Sequence, residues 1–410
     1  MKIFNSLSRS IQTFTPLNNK TVKIYVCGIT PYDVTHLGHA FTYVFFDTLI
    51  RYLKYKGYKV NYVQNVTDID DDILKKAKEL GKNWKKLGEY WTKKFLDDMK
   101  SLNVEPPTHF VKATDSITMM IRIIEVLIKK GFAYERKGNV YFEVKKFKAY
   151  GELSKFTKKQ MFLISKQRGA DPNDPLKKNP LDFLLWQKSK KNEPFWESPW
   201  GRGRPGWHIE CSAMIYQYLG ERIDPFGKLR VNGEHSRTID IHGGGRDLIY
   251  PHHECEIAQS ESFTAKIPFV KYWMHNAMVM NEGEKMSKSL GNLVLISDLL
   301  KKYSWDAVRL YILSHRYRNP WEYDESKLEY YQKEIKLIRN ALKKESMQVP
   351  LKNNFAKKYL DEFNNCLEND ANTESGLLVI SNIARSILNK KEESLELQKT
   401  LKTCLEILGL

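Results

Sequence analysis

The stretch from residue 22 to residue 66 restricts the fold of this chain more than any other. "VKIYVCG" (22 to 28) is a β-rich run, "AFTYVFFDTLIRYLKYKG" (40 to 57) is a helical pattern closed by glycine, and "YKVNYVQNV" (58 to 66) is strand-like again. Strand, helix and strand in that order make a βαβ unit, which implies a parallel, doubly wound sheet in an α/β fold. In such sheets ligands bind where strands end. Cys27, Gly28 and Thr30 stand at the end of the first expected strand, and Thr67 follows the second.

The remaining sequence arranges itself around that unit. Residues from about 110 to 200 break the alternation with Lys- and aromatic-rich sequence, which reads as an insertion in the sheet. "TIDIHGGG" (238 to 245) returns as a strand with a glycine-rich exit, "FVKYWMHNAMVM" (269 to 280) is another buried element, and from about 320 onward the pattern is helical. The expected division is 1–110 and 201–300 for the two halves of the α/β domain, 111–200 for a connective insertion, and 301–410 for a helical bundle. Phe355, Tyr359, Leu360, Phe363, Cys366 and Leu367 keep helical spacing. Cys366 is therefore expected in the core, and Cys404 in "LKTCLEILGL" likewise. Asp68, Asp70, Asp71 and Asp72 could gather round a metal, yet they open the helix "DDDILKKAKELG", where capping and the helix dipole explain them more simply.

Charge and cysteine usage narrow the partners. Lys and Arg number 66 against 49 Asp and Glu, a formal net charge of +17. The surface field should attract a polyanion, for which nucleic acid is the natural candidate. The 5 cysteines are an odd, sparse set that does not suit a disulfide framework. No apolar run is long enough to span a membrane, and the N-terminus carries neither a signal peptide nor a transit pattern. A cytoplasmic monomer without membrane contact is expected.

Two motifs point to phosphate chemistry. "PYDVTHLGHAF" places His36 and His39 in the loop between the first strand and its helix, where backbone N–H groups bind anions and imidazoles add donors. "EKMSKSLGN" (284 to 292) brings Lys285, Ser287, Lys288 and Ser289 into a second loop. Either alone is weak, since surface histidines and solvated lysine-serine runs are common. In this order and context they resemble the two signatures of class I aminoacyl-tRNA synthetases. The resemblance implies attack by an amino-acid carboxylate on the α-phosphate of ATP, carried with Mg2+, and loss of pyrophosphate. His36, His39, Lys285 and Lys288 would position the groups and neutralise developing charge.

A third constellation concerns the amino acid. In "YPHHECEIAQS" (250 to 260) Pro251 suits a first helical position, and His252 and Glu256 then fall one turn apart on one face. Trp207 and Cys211, in "RPGWHIECSAM", have the same spacing. Cys27, Cys211, His252 and Glu256 together offer two thiolates, an imidazole and a carboxylate, all good zinc ligands. His253, His242 and Cys255 are alternatives, although Cys255 lies about 100° from Glu256 around the helix.

The pieces "YVCGITPYDVTHLGH", "NVTDIDDDI", "GRPGWHIECSAM", "DIHGGGRDLIYPHHECEIAQS", "YWMHNAMVM" and "KMSKSLGN" resemble the cysteinyl-tRNA synthetase family over roughly residues 1 to 330. The resemblance implies a Rossmann-type catalytic domain and one zinc held by Cys27, Cys211, His252 and Glu256. It places L-cysteine among Gly28, Thr30, Thr67 and Trp207, ATP against His36, His39, Asp247 and Lys288, and tRNA(Cys) as acceptor. Four protein ligands normally mark a closed zinc site, so either the metal takes a fifth ligand or Glu256 loosens.

Two departures from the family pattern stand out. Residues 221–237 are extra, and Asn232-Gly233 within them signals a β-hairpin. The C-terminal region looks short, so the acceptor stem and basic surface are expected to outweigh anticodon reading. The rival activities are a ligase that hands activated cysteine to an amino sugar, and a zinc-stabilised RNA-binding protein without catalysis.

Overall fold

The computed structural model describes residues 1–220, 238–286, 290–345, 355–389 and 395–410. The hairpin expected within 221–237 and the residues Ser287, Lys288 and Ser289 lie outside them.

The strand Thr21–Ile29 is central. Val22, Ile24 and Val26 enter one hydrophobic core and Tyr25 and Cys27 the other, so the strand is buried on both faces and reads as a near-continuous apolar run. Five parallel strands lie in the order Val270–Asn276, Ile239–Gly245, Thr21–Ile29, Lys59–Val66 and His109–Lys112. From Thr21–Ile29 the chain builds outward on one side and then crosses to the other, which makes the gap beside that strand a topological switch point. The edge strand His109–Lys112 straddles the boundary expected at 110, its four residues being too few to show a period.

The helix Leu37–Tyr55 covers one face, with His36 as its N-cap and His39 in its first turn. His36 and His39 thus belong to the helix start and not to a free loop. The insertion folds into an antiparallel sheet of Ala133–Arg136, Asn139–Phe142, Phe183–Lys188 and Gly203–Pro205. Its last strand leads through Gly206 directly into the helix Trp207–Tyr218. Tyr250 is extended and breaks the helical path, which resumes at Pro251 and runs on into Glu254–Thr264, so Pro251 takes the first helical position the sequence suggests. The aspartates have structural partners. Asp70 caps Asp71–Glu79 by accepting from the Asp72 N–H, Asp71 pairs with Arg204, and Asp68 accepts from the Thr114 N–H and hydroxyl at 3.0 and 2.7 Å.

The C-terminal helices include Trp305–Leu313, Glu325–Lys343, Thr373–Asn389 and Leu395–Leu408. Cys404 is buried among them and Cys366 is half-buried against the same core. Arg309, fully buried, ties these helices to the α/β domain: it pairs with Asp47 of Leu37–Tyr55 and donates to the carbonyls of Leu408 (2.7 Å) and Leu102 (2.9 Å). Among the described residues no helix is long and apolar enough to cross a membrane.

Candidate active site

At the switch point a cleft of about 520 Å3 opens between the carboxyl ends of the strands. Cys27, Gly28, Thr30, Thr67, Trp207, Cys211, His252, His36, His39, Asp247 and Lys285 all line it. Glu256 sits immediately behind, fully buried.

Gly28 is required by close approach. A Cβ there would come within 1.5 Å of the Asn65 carbonyl oxygen, and the Gly28 N–H donates to Asn65 Oδ1 at 2.7 Å. Asn65 also donates to the Thr67 hydroxyl at 3.3 Å, so one side chain positions both strand ends. On the opposite wall Trp207 stacks on His252 with ring centroids 4.5 Å apart. Cys211, one turn later, directs its sulfur to His252 Nε2 at 3.3 Å and to Cys27 Sγ at 3.9 Å. Trp207 and Cys211 therefore share a helix face because both line the cleft.

The donor atoms of Cys27, Cys211, His252 and Glu256 all lie within 4.8 Å of one another. Metal–ligand distances of about 2.0–2.3 Å put tetrahedral ligand atoms roughly 3.3–3.8 Å apart. The 3.3 Å from His252 to Cys211 and the 3.2 Å from His252 Nε2 to Glu256 Oε1 are close to that range. Glu256 Oε1 is buried without a hydrogen bond of good geometry, an orphaned acceptor that a cation would satisfy. Burial pushes the thiols of Cys27 and Cys211 and the Glu256 carboxyl upward, disfavouring the anion of each. Anionic ligands at this depth need a compensating dication, so the donor set fits zinc.

A second, overlapping set joins Cys27 and Glu256 to His242 and His253. His253 Nε2 is 3.2 Å from Cys27 Sγ, its Nδ1 is 2.8 Å from His275 Nε2, and His275 Nδ1 reaches Ser6 Oγ at 2.8 Å. His242 Nε2 lies 3.1 Å from Glu256 Oε2, and its ring stacks on Trp273. Burial holds His242, His275 and His208 neutral, each pushed down to about 3. Cys255 is turned away, its sulfur 3.3 Å from the Tyr150 hydroxyl.

At the other end of the cleft the rings of His36 and His39 stack 3.8 Å apart. His36 Nδ1 accepts the Gly38 N–H at 3.1 Å, and His39 Nδ1 accepts the His36 N–H at 3.4 Å, a capping box built from imidazoles. A Cβ on Gly38 would sit 2.9 Å from His36 Cε1, so the glycine leaves room for that ring over the helix start. Asp247 Oδ2 lies 3.2 Å from Arg168 and 3.6 Å from Lys285. Sequence reasoning missed Arg168, Asn65, His208 and His275. His208 alone left a trace, three residues before Cys211 on the same helix.

A doubly wound sheet carrying a histidine-capped helix N-terminus beside its switch point defines a class I aminoacyl-tRNA synthetase. Residues 13–333 match the family model of the class I (C) tRNA synthetase catalytic domain. In fold the chain is similar to Mycobacterium tuberculosis methionyl-tRNA synthetase in complex with methionyl-adenylate. The TM-score is 0.65, with 95% of this chain and 89% of that one covered at 15% identity. In sequence it is 47% identical to the cysteine--tRNA ligase of Dehalococcoides mccartyi, over 100% of this chain and 86% of that protein. It is 42% identical, with the same coverage, to the cysteine--tRNA ligase of Thermococcus onnurineus. The chain belongs to the cysteine--tRNA ligase family. An amino-sugar acceptor gains no support from these relatives.

Proposed function

We propose that the chain activates L-cysteine with magnesium-bound ATP as cysteinyl-adenylate and transfers the cysteinyl group to tRNA(Cys). The observation that carries this reading is one cleft holding, side by side, a donor set suited to a thiol and a helix N-terminus suited to a triphosphate. Of the two overlapping sets, we assign the metal to Cys27, Cys211, His252 and Glu256. Cys27, Cys211 and His252 line the cleft, whereas His242 and His253 stand behind it. When bound, zinc would hold the substrate sulfur as a thiolate and discriminate against the harder, less acidic hydroxyl of serine.

Gly28, Thr30, Thr67 and Trp207 are assigned to enclosing the amino acid. Its carboxylate oxygen bonds to the α-phosphorus of ATP while the bond to pyrophosphate breaks. His36 and His39 serve as donors here. Because Nδ1 of each ring accepts a backbone N–H, the neutral ring carries its proton on Nε2, the nitrogen that can donate to a phosphate oxygen. The helix dipole adds to that field. Lys285 and Lys288 are assigned to the phosphate charge, and Asp247 to the ribose hydroxyls. In the second step a terminal ribose hydroxyl of tRNA attacks the adenylate carbonyl and AMP leaves. The helical part, 301–410, is assigned to the stem and anticodon side of the tRNA.

Pyrophosphate exchange with cysteine and with serine, followed by charging of tRNA(Cys) and of an amino sugar, tests the reading. Cysteine-dependent exchange with tRNA charging is expected. Exchange that leads only to the amino sugar would contradict it.

A further inference from the structure

Glu210 is fully buried in the first turn of the helix Trp207–Tyr218, between Trp207 and Cys211. It does not line the cleft, whereas Thr67, at the end of the strand Lys59–Val66, does. The Thr67 hydroxyl donates to the Glu210 carboxyl, and Glu210 Oε2 is left without a partner. Among the described residues Glu210 is in no ion pair, and the ionisable groups that act on it most, Cys211, Asp70 and Asp68, add only negative charge. A buried carboxyl with an orphaned oxygen and anionic neighbours costs stability, yet neither the metal set nor the phosphate end of the cleft uses it.

The hydrogen bonds around Thr67 have a fixed direction. The Gly28 N–H donates to Asn65 Oδ1 at 2.7 Å, so the other end of that amide, Nδ2, is the one that meets the Thr67 hydroxyl at 3.3 Å. A hydroxyl has one proton and two lone pairs. Asn65 takes one lone pair and Glu210 receives the proton. The valence left for the cleft is a lone pair, which accepts from an ammonium group and repels a carboxylate. We propose that Glu210 is a positioning residue for amino-acid recognition: it holds the Thr67 proton away from the cleft and so makes Thr67 an acceptor for the α-ammonium group of the substrate. The proposal rests on the cysteine-activation reading above and deepens it. With the thiol at the metal and the ammonium group at Thr67, the carboxylate is left to face the phosphate end of the cleft, at His36 and His39.

The test compares Glu210→Met, Glu210→Gln, Thr67→Val and the pair of Glu210→Met with Thr67→Val in the full zinc-loaded chain, with zinc content measured on each. Two thiols probe the site by calorimetry: cysteamine, which has an ammonium group and no carboxylate, and mercaptopropionate, which has a carboxylate and no ammonium group. Pyrophosphate exchange gives KM for cysteine and for ATP. Glu210→Met should weaken cysteamine about ten- to a hundredfold and raise KM for cysteine by a like factor, the effect of one hydrogen bond to a charged group. Mercaptopropionate binding and KM for ATP should stay within about twofold of the parent. Glu210→Gln keeps an oxygen that accepts the Thr67 proton and should recover most of the loss. On the Thr67→Val background, Glu210→Met should add less than about twofold. Equal weakening of both thiols in Glu210→Met overturns the proposal, since Glu210 would then only hold the Cys211 helix in place. So does unchanged cysteamine binding, failure of Glu210→Gln to recover it, or full additivity with Thr67→Val. A parent that binds cysteamine but shows no cysteine-dependent exchange would contradict the functional reading instead, and the two thiols would still decide the role of Glu210.

Discussion

Cys27 and Cys211 stand 184 residues apart in sequence, yet their sulfur atoms lie 3.9 Å from each other at the base of the cleft, both as free thiols. One is fixed by the end of a central strand, the other by a helix that the insertion delivers. Their convergence suits a shared metal. Cys211→Ser should weaken zinc binding by more than the roughly 10–100-fold that follows loss of an outer partner, and cysteine activation should fall with it. Metal content and exchange rate measured on one preparation check this; full zinc occupancy in the variant would contradict it.

His208 is the outer partner for His252. The two Nδ1 atoms are 3.1 Å apart, so only one of them can carry the proton. If His252 offers Nε2 to a metal, its proton lies on Nδ1 and His208 accepts. His208→Ala should therefore lower zinc affinity about 10–100-fold while leaving the fold intact. Competition with a chromogenic chelator reads the affinity, and an unchanged value would show that His252 is oriented by other contacts, such as its stack on Trp207.

Gly38→Ala separates helix stability from catalysis. Alanine is the better helix former by about 0.8–1.0 kcal/mol, which offsets the roughly 0.5–2 kcal/mol lost with the displaced His36 cap, so Tm should change little. The added Cβ must displace the His36 ring, 2.9 Å away, and with it the nitrogen assigned to the phosphate. A displacement of that order should cost about a hundredfold in kcat of adenylate formation. Unaltered kcat would remove His36 from the mechanism.

The pH dependence of stability should carry a contribution from Glu261. Burial pushes its carboxyl up to about 7 from 4.5, against the opposing pull of the Phe269 N–H at 3.0 Å. A carboxyl raised in the folded state contributes its stability fully below pH 4.5 and loses it as pH rises through about 7. Glu261→Gln, whose carbonyl can still accept that N–H, should lose less Tm than the parent between pH 5 and pH 8. Parallel profiles for the two proteins would contradict the raised value.

What could be read from the chain in advance follows from the range of each signal. The βαβ unit and the i, i+4 pairs Trp207–Cys211 and His252–Glu256 are local periodicities, and they were legible. His36 and His39 read as loop residues because the apolar helical pattern begins only at Ala40, and it is the paired backbone contacts that make a capping box of them. Arg168 and His275 left no trace, since their roles depend on how an insertion and an edge strand pack against the sheet. Asp68, Asp70 and Asp71 were legible too, since the sequence reads their cluster as a helix start, and a cap, an ion pair and the Thr114 contact account for them.

The most direct test of the central claim, that a metal-held thiol site selects the amino acid for adenylation, is cysteine- and serine-dependent pyrophosphate exchange on the same protein stripped of zinc and then reloaded. The account predicts strong exchange with cysteine only in the zinc-loaded protein, and negligible exchange with serine in either state. Full cysteine-dependent exchange after complete removal of zinc would contradict it.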